Sequence, residues 1–177
     1  MAKSEADPAD VGSIGAIIAA AYDVISGPAG APRDWEREHS LFIPGARLIP
    51  TATIAGRSDV DLAPLMLDVD AYMARVEPLF ARDGFYEKEV ARRTEQFGQI
   101  AHVWSTYESR HHPDDPEPFM RGINSIQLFN DRKRWWIVSI YWQHETAEHA
   151  VPEKYLRSAT RYKPLQRSNF WEQQAAG

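Results

Sequence analysis

The middle third of this chain constrains its fold more than any other part. Long runs with strand character follow one another there: Tyr86–Phe97, Ile100–Arg110, Phe119–Phe129 and Arg134–His144, the last two facing each other across an Asn-Asp-Arg-Lys turn. Long antiparallel strands twist and curl, and their concave face must be covered by apolar side chains. In 177 residues only the helices that precede the strands can supply that cover. The expected fold class is α+β: a curved antiparallel sheet wrapped around N-terminal helices, a half-open cone with a pocket at its mouth.

The N-terminal third reads as those helices. Asp7-Pro8 suits a helix start, and Val11, Ile14, Ile18, Tyr22 and Ile25 recur at helical spacing up to Gly27-Pro28. Asp34 caps a short helix, Trp35–Phe42, with Trp35, Leu41 and Phe42 toward the core. After Pro44-Gly45, Ala46–Thr53 reads as a short strand and Gly56–Pro64 as a polar loop. A third helix starts at Asp68 with Val69, Met73, Val76 and Phe80 on one stripe, and Pro78 predicts a kink or an early end near Glu77. Residues 1–145 thus form the cone domain. Residues 146–177 form a C-terminal arm, part of the same domain or packed on a dimer partner, with a helix expected around Glu153–Thr160.

Composition removes several function classes. A net charge of −5 with both signs interspersed argues against nucleic acid, which needs a concentrated basic face. Without cysteine there is no disulfide, thiolate zinc site or cysteine nucleophile, which fits a cytoplasmic protein. The start, Met1–Pro8, is polar and acidic, unlike a targeting segment. No apolar run approaches the ~20 residues that span a bilayer. No membrane partner is expected.

The element order, with the strings Asp34-Trp35-Glu36-Arg37-Glu38, Pro44-Gly45-Ala46-Arg47-Leu48 and Arg134-Trp135-Trp136-Ile137-Val138-Ser139, resembles the NTF2-like (cystatin-like) superfamily over roughly Asp10 to His144. Within it the SnoaL-like and ketosteroid-isomerase-like branch is most similar. These strings mark fold; activity carried with them rests on analogy. The isomerase's catalytic Asp matches Pro50 here and its helix Tyr falls near Ala20, so that constellation is not carried over. Tyr22-Asp23 ahead of Asp34-Trp35 is similar to the Tyr-Asp pair of scytalone-dehydratase-like members.

Alternation sorts each strand into two faces, and the resemblance implies which is concave. It assigns His102, Trp104, Thr106 and Glu108 to the inside, with Ser125 and Gln127 from the third long strand and Val138, Ile140, Trp142 and His144 from the fourth. Trp135, Ile137, Ser139 and Tyr141 then lie outside, an apolar patch suited to a homodimer. His102 is the candidate general acid or base, with Asp23 to fix its tautomer. Tyr22, Trp104, Thr106, Ser125, Gln127, Ile140, Trp142 and His144 are the candidate ligand-binding residues. Against these stands the plainer reading of a packed histidine and a solvated Asp23. His111-His112 with Asp114 and Asp115 reads as an exposed turn, so no metal is expected.

The functional expectation is a cofactor-free pocket for a small apolar or aromatic molecule, either binding it or acting as an acid/base lyase or isomerase. The alternatives are a non-catalytic dimeric interaction module and the small subunit of a ring-hydroxylating dioxygenase, a structural role because no iron or cluster ligands are visible.

Overall fold

A computed structural model describes residues 5–51, 65–157 and 159–161. Its elements are α1 (Pro8–Val11), α2 (Ile14–Ile25), α3 (Trp35–Leu41), β1 (Phe42–Pro50), α4 (Val69–Arg82), β2 (Tyr86–Phe97), β3 (Ile100–Arg110), β4 (Met120–Asn130), β5 (Trp135–His144), a 3-10 turn (Glu153–Tyr155) and β6 (Ala159–Arg161). The strands form one sheet in the order β1-β5-β4-β3-β2-β6. The four long strands pair antiparallel, while β1 joins β5 and β6 joins β2 in parallel. The helices cover the concave face of this curved sheet, so the fold is the α+β cone. The Gly56–Pro64 loop, the end of the Ala46–Thr53 strand and the arm beyond Arg161 lie outside the described residues. No helix among the described residues is long and apolar enough to cross a membrane.

Local chemistry explains most boundaries. The first helix is interrupted at Gly12-Ser13, where the Ser13 side chain accepts from the Ala16 N–H and starts α2 afresh. The α2 stripe buries Ile17, Ile18 and Tyr22. Pro78 does not end α4 early: the helix runs on to Arg82, its last turns anchored by Phe80, whose ring lies 6.3 Å from Trp35 and 5.0 Å from Phe85. The β4–β5 turn is held by Asp131, whose Oδ1 accepts from the N–H groups of Lys133 and Arg134 at 2.8 Å.

Bulges in two of the long strands rephase their faces. Val90 is the extra residue in β2, opposite Tyr107 and Thr106, and Val138 is the extra residue in β5, opposite Gln127 and Leu128. The second overturns the expected face of Trp135 and Ile137. Both lie in the core, at 7% and 0% exposure, while Val138 turns outward. Past the bulge, Ile140, Trp142 and His144 face inward and Tyr141 outward, as expected. Of the outer apolar patch, only Tyr141 remains exposed.

The C-terminal segment folds back over the convex face. The Thr106 hydroxyl donates to the Tyr155 carbonyl at 2.5 Å, and the Trp104 and Tyr155 rings lie 5.4 Å apart. In place of the helix expected over Glu153–Thr160 there is the single 3-10 turn followed by β6. Trp104 is therefore half-buried on the outside rather than in the core. Trp104→Ala is expected to cost about 1–2 kcal/mol, below the ~3–5 typical of a core aromatic, and to release the Glu153–Tyr155 turn. Chemical denaturation and amide exchange over residues 153–157 check both effects; a core-sized loss with the turn still protected would refute the placement.

Candidate functional site

The cone encloses a cavity of about 680 Å³. Its walls are apolar because three elements turn their stripes into it: Tyr72, Val76 and Phe80 from α4, Leu48 from β1, Ile140 and Trp142 from β5. Met73 and Val76 are half-buried on the same helix and pack against the core. Tyr72 meets Trp142 edge to face, with centroids 6.1 Å apart. Phe119, stacked on His111 at 4.0 Å, stands at the rim with His144.

The polar groups converge on one side of this apolar chamber. Glu38 of α3 is 2% exposed and its Oε2 has no hydrogen-bond partner among the described residues. Burial raises its carboxyl to about 8, against the opposing pull of Arg37. Glu87 of β2 also lines the cavity, and burial lifts it to about 7, although hydrogen bonds from Ser109 (2.7 Å) and Asn124 favour its ionised form. Tyr107 of β3 lines the cavity, and its Oη is buried and unpartnered. It lies against Gly122, where a Cβ would meet Oη at 2.5 Å, so a larger residue there would displace the hydroxyl.

Behind Glu87 runs a directional chain. Asn124 Nδ2 donates to Tyr22 Oη at 3.0 Å, and Tyr22 Oη lies 2.7 Å from Ser105 Oγ. Ser105 gives its single proton to Glu89 Oε1 at 2.5 Å, so Tyr22 must donate to Ser105. Arg92 grips Glu89 through Nε and Nη2 at 2.5–2.9 Å.

The residues expected at the site divide cleanly. Tyr22, Ile140, Trp142 and His144 line the cavity. His102, Trp104, Thr106, Ser125 and Gln127 do not: they lie on the convex face, where His102 Nε2 meets Ser125 Oγ at 3.0 Å and its ring packs on Trp104 at 4.8 Å. Partial burial lowers the imidazole's pKa, with Glu95 opposing. Asp23 points outward, its side chain 70% exposed and paired with Arg37 at 2.6 Å. His102 and Asp23 thus sit on opposite sides of the fold and cannot form a dyad. The inner face of β3 is instead Ala101, Val103, Ser105, Tyr107 and Ser109. Where α2 lies close, short side chains are what close packing admits.

Glu38, Glu87 and Tyr107 were missed. For Glu38 a signal exists: it stands three residues from both Trp35 and Leu41, an acid on the apolar face of α3. Glu87 carried none, because the Val90 bulge disrupts the alternation that would mark it as inward.

Fold and site together define an α+β cone with an apolar interior cavity and buried acids at its wall. No protein-family model matches the chain, and no curated protein matches it. Among solved structures it is similar to an NTF-2-like protein of unknown function from Silicibacter pomeroyi DSS-3, with 19% identity over 75% of this chain and 99% of that one and a TM-score of 0.46. It is also similar to an NTF2-like protein of unknown function from Shewanella baltica OS155, with 13% identity over 64% and 81% of the two chains and a TM-score of 0.40. A protein from Kribbella flavida aligns at 13% identity over 58% and 74%, with a TM-score of 0.41.

Proposed function

We propose that this protein binds a flat apolar or aromatic molecule in the cavity and exchanges protons with it, as a cofactor-free isomerase or lyase of the SnoaL-like kind. One observation carries the reading: two carboxyls, raised by burial to about 8 and about 7, open onto the same apolar chamber. Groups tuned apart around neutrality divide the roles of acid and base. Glu38, the weaker acid, stays protonated near pH 7 and donates toward a ligand oxygen. Glu87, partly ionised there, takes a proton from the adjacent carbon and returns it to the product. Tyr107 supplies a second donor for the same oxygen. A ligand with an apolar ring system and one carbonyl or hydroxyl group fits this set.

The probe is 2-tetralone, a bicyclic ketone with exchangeable protons beside its carbonyl. In deuterated buffer near pH 7 the protein is expected to speed deuterium uptake, followed by proton NMR. Ile140→Trp, which narrows the cavity beside Trp142, should weaken binding, seen as reduced quenching of tryptophan fluorescence. Glu87→Gln should bind but slow exchange by about 10²-fold or more. Exchange at the buffer rate, or exchange unaffected by Ile140→Trp, would refute the reading.

A further inference from the structure

We infer that the C-terminal residues 162–177 cover an apolar row on the convex face of their own chain's sheet, seated across Phe97, Ile100, Phe129 and Trp136. The inference is independent of the acid/base reading, because this row lies on the face away from the cavity.

Strand pairing builds the row. Phe97 of β2 stands opposite Ile100 of β3, Ile100 opposite Phe129 of β4, and Phe129 opposite Trp136 of β5. Residues paired in this way point to one face of the sheet. Ile100 shares its parity with His102 and Trp104, so that face is the convex one. The neighbours of opposite parity, Ala101, Leu128 and Ile137, are buried in the core. Phe97 and Ile100 are the most exposed of the large apolar side chains described, at 66% and 59%. Phe129 and Trp136 are half-buried. Trp136 is held in place: the Arg134 guanidinium lies 3.7 Å from its ring centroid, and its Nε1 donates to Asp131 at 2.9 Å. A contiguous apolar row on an outer face marks a surface that another element covers.

The path of the chain names the occupant. β6 runs parallel to β2, with Arg93 opposite Ala159, Thr94 opposite Thr160 and Glu95 opposite Arg161. It is therefore heading for Phe97, and it delivers the chain to the open end of the row. Pro164 follows, and proline cannot donate to a strand ladder, so the pairing with β2 stops there. Beyond it come Leu165, Phe170 and Trp171, apolar side chains of the kind that such a row buries. The stretch before β6 already packs on the same face, with the Tyr155 ring 5.4 Å from Trp104. Length is sufficient. Crossing from β2 to β5 takes three strand spacings, roughly 14 Å, whereas residues 164–171 extend to roughly 26 Å. A second copy of the protein would have to reach the row past this tether, which holds residues 162–177 beside it.

The test uses the full chain, which has no cysteine, so that Lys133→Cys takes a single nitroxide label. Lys133 is exposed in the turn beside the Trp136 end of the row. In nitrogen-labelled protein the amides of Leu165, Phe170 and Trp171 are expected to lose intensity when the nitroxide is oxidised and to regain it on reduction. Ile100→Asp, an exposed position that the fold tolerates, should remove most of that loss by placing a carboxylate in the row. Circular dichroism checks that the variant is folded, and Phe97→Asp takes its place if it is not. Tail amides untouched by the label overturn the inference. So does a loss that persists in Ile100→Asp and Phe97→Asp, which would mean that the tail is near the row without lying on it. A third sample mixes nitrogen-labelled chains lacking the nitroxide with unlabelled chains that carry it. Intensity lost there would show the tail lying on a second copy, and would also overturn the inference.

Discussion

Glu38→Leu is expected to stabilise the protein by several kcal/mol above pH 8 and to change little near pH 4. Glu38 is closed off from water, and nothing among the described residues bonds its Oε2. Its carboxyl titrates at about 8 in the folded state against an ordinary value of 4.5. Between those values the folded chain keeps a proton that the unfolded chain has lost. Stability therefore falls as pH rises through that window, and it levels off above the folded midpoint. The full loss amounts to about 5 kcal/mol, and an apolar side chain of similar size does not incur it. Urea unfolding from pH 4 to pH 9 checks this: the wild-type curve should slope downward relative to that of the variant. Parallel curves would show that Glu38 is not buried as described. A residue kept at this cost is hard to explain by stability alone, which is why it belongs to the functional reading.

Ile137→Glu is expected to unfold the protein, and Tyr141→Glu to leave it within about 0.5 kcal/mol of wild type. In a regular strand these two positions share a face. Here the Val138 bulge sends Ile137 into the core at 0% exposure, against Leu128 and Phe42, and Tyr141 to the outside at 47%. A carboxylate at position 137 would be buried without a partner, a change that costs more than about 4 kcal/mol. Circular dichroism and solubility distinguish the pair. If Ile137→Glu instead gave a folded protein of lower mass, the outer-face assignment by strict alternation would be right and the bulge wrong.

The strand runs, the caps at Asp34 and Asp68 and the stripe on α2 all signal their elements locally, because capping, turn chemistry and periodicity act over a few residues. That is why the α+β cone is legible in the sequence. Alternation also divides each strand into two faces, and on the face that the resemblance marks as concave Ile140, Trp142 and His144 line the cavity, joined by Tyr22 from the helical stripe of α2. Alternation cannot say which face is concave. On β3 that depends on where α2 and the C-terminal segment pack, contacts between residues far apart in the chain. Trp104 looked like core and instead anchors Tyr155 outside, while Ser105 and Tyr107 took the inside. The bulges at Val90 and Val138 shift the phase within a strand, a choice made by pairing with neighbouring strands. Glu38 and Glu87 acquire their chemistry only from burial, which no short stretch of sequence contains. The chain by itself determined its elements and their order; the curvature of the sheet decided which side chains face the cavity, because curvature arises from long-range strand pairing and helix packing.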